Sequence, residues 1–112
     1  MKTLAYKQQI EPREGCVASA LKVLGNKWTA LILLDMADSQ KRFCEIERSL
    51  AGISPRTLSQ RLEELVEHKI ITKQAFAEVP PRVEYTLTDK GRDFIPVLRQ
   101  MAAWGTKHYE QA

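Results

Sequence analysis

Apolar positions along this chain recur at helical spacings first, then alternate, then return to helical spacings, and these changes divide it into elements. From Cys16, the residues Val17, Ala20, Leu21 and Leu24 fall on one helical face, and Gly25 with Asn26 stops that helix and caps the next. Residues 27–37 are apolar on nearly all sides, through Trp28, Leu31, Ile32, Leu33, Leu34 and Met36, which predicts a central buried helix with the others packed about it. Residues 38–41 read as a loop. Phe43, Ile46 and Leu50 predict a short helix over 42–50, and Ala51-Gly52-Ile53 is a tight connection whose one apolar residue can plug the core. Ser54 and Pro55 then mark a helix start, because the hydroxyl can accept from a free first-turn amide and proline has no amide to leave unsatisfied. Leu58, Leu62 and Leu65 give this helix a single core-facing stripe.

After His68 the texture changes. Residues 70–77 and 82–87 are β-prone, the second run alternating polar and apolar, and Glu78-Val79-Pro80-Pro81 between them predicts a stiff turn. Thr88 caps a last helix running from Asp89 towards Tyr109, with Gly91 early enough to be tolerated and Pro96 expected to bend or divide it. A short helix, a glycine turn and a second helix with a polar outer face form the helix-turn-helix layout, and a following hairpin makes it a winged helix. The expected fold is therefore mainly α with a small β-hairpin: a winged helix-turn-helix with added N- and C-terminal dimerisation helices. Residues 1–14 read as a polar arm, and 15–112 as a single domain.

The capped helix at Ser54 would pass alone for an ordinary amphipathic surface helix; its neighbours favour recognition. Arg56 and Arg61 come early on its outer face, while Glu63, Glu64 and Glu67 come late, so only its N-terminal half suits a polyanion. Recognition helices of this class enter the major groove through their N-terminal ends. The 112 residues carry a net charge of +3, with a pI near 9.0, which permits nucleic-acid binding without demanding it. Much of the basic excess flanks the helix, in Lys2, Lys7, Arg13, Lys22 and Lys27 on one side and Lys69, Lys73, Arg82, Lys90 and Arg92 on the other. The longest apolar run, residues 30–34, is far too short for a bilayer, and the polar start has no apolar signal segment, so a cytoplasmic protein with no membrane partner is expected.

Several segments together resemble the HxlR family of bacterial winged helix-turn-helix regulators, within the MarR-like winged-helix superfamily. They are Cys16-Val17, Leu24-Gly25-Asn26-Lys27-Trp28, Arg42-Phe43, Gly52-Ile53-Ser54, Leu58 and Leu62, and Val79-Pro80-Pro81-Arg82-Val83-Glu84-Tyr85 leading to Leu87-Thr88 and Gly91. The last of these is the most specific, and the resemblance runs from about Cys16 to Trp104. It implies a homodimer, joined largely through N- and C-terminal helices, that binds a palindromic operator and regulates transcription, commonly as a repressor. Some members sense electrophiles or oxidants through a cysteine near the N-terminus, and Cys16 stands where that cysteine stands. The chain departs from the family at Val17, where proline is frequent, and at Cys44, where a small or polar residue is commoner.

Arg56, Thr57, Gln60 and Arg61 are the candidates for base edges, and Ser54 and Ser59 for phosphate. Arg42, at a helix start where a cation gains nothing from the dipole, is a candidate for phosphate as well. Arg82, at the wing, can meet the minor groove or the backbone, or else a salt bridge to Glu78 or Glu84; Lys73 is similarly open. Cys16 is the redox candidate, since a helix N-terminus favours the thiolate, against the plainer reading of a small buried hydrophobe. Cys44 reads mainly as packing. Apolar surplus makes Val17, Leu21, Leu98, Met101 and Trp104 candidates for a dimer seam, with Ile95 and Ala102 beside them. Two cysteines and two histidines have no metal-site spacing, so neither metal nor cofactor is expected. With no nucleophile motif and no phosphate-cradling glycine loop, the chain does not read as an enzyme. The partners expected are double-stranded DNA, a second copy, and a small-molecule or oxidant effector. The alternative is a winged-helix module that docks proteins without sequence-specific DNA binding.

Overall fold

In the computed structural model the described residues are 3–5, 7–8 and 12–109. Six residues of the polar arm expected over 1–14 lie outside them; the parts described are two short strands, β1 (Thr3–Ala5) and β2 (Lys7–Gln8), and the start of helix α1. The remaining elements follow in the order α1 (Pro12–Leu24), α2 (Lys27–Asp35), β3 (Lys41–Arg42), α3 (Phe43–Ser49), α4 (Pro55–Glu67), β4 (Ile71–Phe76), β5 (Arg82–Leu87) and α5 (Asp89–Tyr109). Helix α1 begins at Pro12 rather than near Cys16. Cys16 is therefore one turn inside the helix, where the favourable end of the dipole has largely faded.

The join between α1 and α2 works as its residues predict. Gly25 takes a φ of +52°, and Asn26 Oδ1 accepts from the amides of Trp28 at 2.9 Å and Thr29 at 3.1 Å. Helix α2 packs against α1, α3, α4 and α5 and buries Ile32, Leu33 and Met36, so it is the central helix. Ile46 of α3, Ile53 of the turn and the three leucines of α4 close on it. Gly52, with φ +97°, supplies the left-handed residue that the short turn between α3 and α4 requires.

Lys41 was expected in a loop over 38–41 and Arg42 at the start of a helix over 42–50, but the two form an edge strand, β3, and the helix begins at Phe43. They pair with Tyr85 and Glu84, so the wing is a three-stranded antiparallel sheet in the order β3-β5-β4. Two residues are too few to show alternation, and their pairing depends on a strand more than forty positions away. The hairpin itself follows its pattern, with Ile71 opposite Leu87 and Phe76 opposite Arg82.

Helix α5 is not divided at Pro96, which lies inside it. Gly91, expected merely to be tolerated, is buried, and a Cβ there would run into the carbonyl oxygen of Ile70. The close approach is held by Thr88, whose amide donates to Ile70 O at 3.0 Å while its hydroxyl accepts from the Gly91 amide at 3.1 Å. The buried stripe of α5 is Gly91, Ile95 and Leu98.

Candidate DNA-binding face

The N-terminal end of α4 is built by its own sequence. Ser54 Oγ accepts from the Thr57 amide at 3.1 Å and donates to Thr57 Oγ1 at 3.0 Å, and Pro55 opens the helix. With Leu58, Leu62 and Leu65 anchored in the core, the helix cannot roll, and Arg56, Ser59 and Gln60 are presented to solvent. Thr57 is half-buried and its hydroxyl is engaged by the cap. Arg61 folds back along the helix to Glu64, at 2.9 Å, and is also half-buried. At the far end a left-handed Lys69 (φ +62°) lets the Ile70 amide reach back to Leu65 O at 2.9 Å, which turns the chain directly into β4.

Five of the expected DNA-site residues fall into two groups, while Ser54, Arg56, Thr57 and Arg61 line neither cavity. A groove of about 500 Å³ between α4 and the wing is lined by Ser59, Gln60, Glu63, Glu64, Val66, Glu67, Lys73 and Tyr85, which sets Lys73 beside the outer face of α4. A second cavity, of about 440 Å³, is lined by Arg42 and Arg82, from the start of α3 and the wing turn, and also by Cys44. Arg82 takes the alternative considered for it: it bonds Glu78 at 2.7 Å and Glu84 at 2.9 Å, and its guanidinium lies 4.0 Å from the centroid of the Phe76 ring. Glu84 also accepts from Gln40 at 3.2 Å. Arg42 is exposed, and its amide is held by Glu45 at 2.8 Å.

Both cysteines are free and exposed. This corrects the packing reading of Cys44: on α3 the buried position is Ile46, and Cys44, two residues away, falls on the outward side. It also removes the buried-hydrophobe reading of Cys16. In the groove, burial raises the Tyr85 phenol above its ordinary 10.0, and the charge of Glu63 adds to the effect. No His, Cys, Asp and Glu grouping suited to a metal occurs among the described residues.

On the expected dimer seam, Leu98 is a correction. It is 2% exposed within the core of its own protomer, because it shares the Gly91–Ile95 stripe that faces inward. Ile95 is buried for the same reason. Val97, Met101 and Trp104 repeat that spacing on another face, where Met101 is 48% and Trp104 59% exposed. On α1, Val17 and Leu21 are also largely exposed.

The geometry of a capped helix beside a three-stranded wing has close counterparts. The HxlR-like helix-turn-helix family model matches residues 23–112. The chain belongs to this family. An uncharacterised HTH-type transcriptional regulator of Methanothermobacter thermautotrophicus is 42% identical over 89 residues, covering 80% of this chain and 68% of that one. Among solved structures, one assigned to the MarR family, from Porphyromonas gingivalis W83, superposes with a TM-score of 0.81 at 33% identity, covering 88% of this chain and 97% of the other. The redox regulator HypR in its reduced form gives 0.79 at 38% identity, covering 83% and 92%. This HxlR-family chain is thus a transcriptional regulator of the helix-turn-helix type and not an enzyme. No single helix among its described residues is long and apolar enough to cross a membrane.

Proposed function

We propose that the chain regulates transcription as a homodimer on a palindromic operator, reading bases through α4, and that Cys16 makes it responsive to oxidants or electrophiles. The observation that carries the DNA reading is the solvent-facing Arg56, Ser59 and Gln60 towards the capped end of α4, with Lys73 of the wing in one groove with Ser59 and Gln60. Arg56 and Gln60 have the donor and acceptor groups for base edges; Ser59, Lys73 and Arg42 suit phosphate. Thr57, Arg61 and Ser54 must first give up hydrogen bonds within the helix, and Arg82 must leave two glutamates, so these four are assigned smaller roles. Two uncovered apolar stripes, Val17 with Leu21 and Val97 with Met101 and Trp104, support the dimer. Pairing through them would set two recognition helices roughly 34–36 Å apart, one turn of DNA. Exposure of Cys16 beside Val17 puts a thiol next to that seam, so its oxidation would alter how the two copies meet.

Genomic footprinting with and without reductant, on wild type and Cys16→Ser, tests the whole reading. Palindromic protected sites lost on oxidation in wild type and kept in Cys16→Ser are expected. Sites that respond equally in both reject the sensor, and protection without two-fold symmetry rejects the dimer on its operator. On a recovered site, Arg56→Ala is expected to weaken binding by about 1–3 kcal/mol and relax base preference, and Arg61→Ala by less.

A further inference from the structure

Given the homodimer proposed above, on which this step rests, we propose that the two α5 helices pair antiparallel and that Trp104 of each copy seats in a cavity between α1 and α5 of the other. Phe94, Val97, Met101 and Trp104 recur at spacings of three, four and three, the pattern of a seam between two helices. Phe94 is half-buried against its own core, and the other three are exposed. Beside the seam runs a polar row, Asp93, Gln100 and Lys107, all exposed. On the seam's other side the matching positions Gly91 and Leu98 are buried in the protomer, so a partner helix meets α5 through the seam and the polar row.

Two-fold symmetry sets each residue against the one equally far beyond the axis on the other copy. Arg99 lies midway between Phe94 and Trp104, and also midway between Val97 and Met101. An antiparallel crossing there opposes Phe94 to Trp104 and Val97 to Met101. In an antiparallel pair the flanking row faces its own counterpart, and the centre of that row is Gln100, midway between Asp93 and Lys107. Asp93 therefore faces Lys107 of the other copy at both ends of the seam, and neither has an ion-pair partner among the described residues of its own copy. A parallel pair would instead turn both towards the row of Gly91 and Leu98, which carries no charge.

A cavity supplies an observation independent of these spacings. It has a volume of about 420 Å³ and is walled by Ala20 and Val23 of α1, by Ile70, and by Phe94 of α5, with Lys90 and Asp93 also lining it. Lys90, Asp93 and Phe94 lie on the seam side of α5, so the cavity opens where the crossing delivers Trp104 of the other copy. Trp104 is 59% exposed, and its ring is braced by His108 and Tyr109, with centroids 5.1 and 5.5 Å away. A braced aromatic filling an apolar pocket is the usual anchor of an interface. Asp93, with two oxygens, can accept from the buried indole N–H as well as from Lys107.

Sedimentation velocity of the full chain over a range of concentrations gives the monomer–dimer midpoint. Trp104→Ala, and Ala20→Phe, which fills the cavity from its α1 wall, should each raise that midpoint by roughly tenfold or more. Together they should raise it little further, since both remove the same contact. Asp93→Lys and Lys107→Asp should each raise it about threefold, and the double reversal should restore it, because each new charge then meets its opposite on the other copy. Asp93 and Lys107 are exposed, so their variants keep the fold and test the pairing even where Ala20→Phe does not fold. Failure of the double reversal to restore the midpoint would overturn the antiparallel pairing. A midpoint unmoved in a folded Ala20→Phe would overturn the seat and give the cavity to another occupant. A chain monomeric at every concentration would instead reject the homodimer itself.

Discussion

Helix α4 and helix α5 both carry apolar residues at spacings of four and three, but α4 has one such stripe and α5 has two. The stripe of α4 is wholly consumed by the core, and what remains outside is Arg56, Ser59, Gln60 and the glutamates. In α5 the Gly91–Ile95–Leu98 stripe is consumed in the same way, while Val97, Met101 and Trp104 are left uncovered. A surplus that is polar and locally basic suits a polyanion; a surplus that is apolar suits another apolar face. Under the proposal above, the two helices divide the work of a regulator: one meets DNA, and the other meets a second copy.

The largest effects should come from the stripes that the helices have in common. Leu62→Ala in α4 and Leu98→Ala in α5 should each lower stability by about 2–5 kcal/mol, measured by denaturant unfolding. A much smaller loss for Leu98→Ala would mean that α5 does not share the core. Next in size is Gly91→Ala, expected to destabilise by roughly 1–3 kcal/mol, since the obstacle is the Ile70 backbone and not a movable side chain. Thermal melts showing Gly91→Ala at or above wild type would break the account of how α5 docks.

Ser54→Ala removes the cap of α4 and should lower stability by about 1 kcal/mol, with a matching loss of order in the first helical turn by amide exchange. Smallest in the folding of the protomer is Met101→Ala, which should change stability by no more than about 0.5 kcal/mol at concentrations where the chain is monomeric. Its signature is elsewhere: light scattering should show the monomer–dimer midpoint moving to higher protein concentration. An unmoved midpoint in Met101→Ala and in Trp104→Ala would show that the second stripe of α5 has another use.

Much of this arrangement was legible from local chemistry. Asn26 and Ser54 cap helices because a side-chain oxygen within two or three residues of a free amide finds it wherever the chain goes. The leucines of α4 needed only their spacing. Residues whose role depends on distant partners were misread. Gly91 looked merely tolerated until α5 was docked against Ile70, and Lys41 looked like loop and Arg42 like a helix start until β5 lay beside them. Arg61 was expected at base edges and is instead bonded to Glu64, while Arg82 took the salt bridges that had stood as its alternative. Leu98 could not be told from Met101, since both are apolar positions on one helix and only the direction of the core separates them.

The sequence by itself determined the order of the helices from α1 to α5, the caps at Asn26 and Ser54, the wing hairpin and the class of protein, because those follow from periodicity, turn residues and a motif spread over most of the chain. Only the tertiary structure decided which side chains are spare. Burial and ion pairing are properties of the packed state, set by residues far apart in the chain. Of the six side chains expected to face DNA from the capped helix at Ser54, this leaves Arg56, Ser59 and Gln60 exposed and outside the bonds that hold Ser54, Thr57 and Arg61.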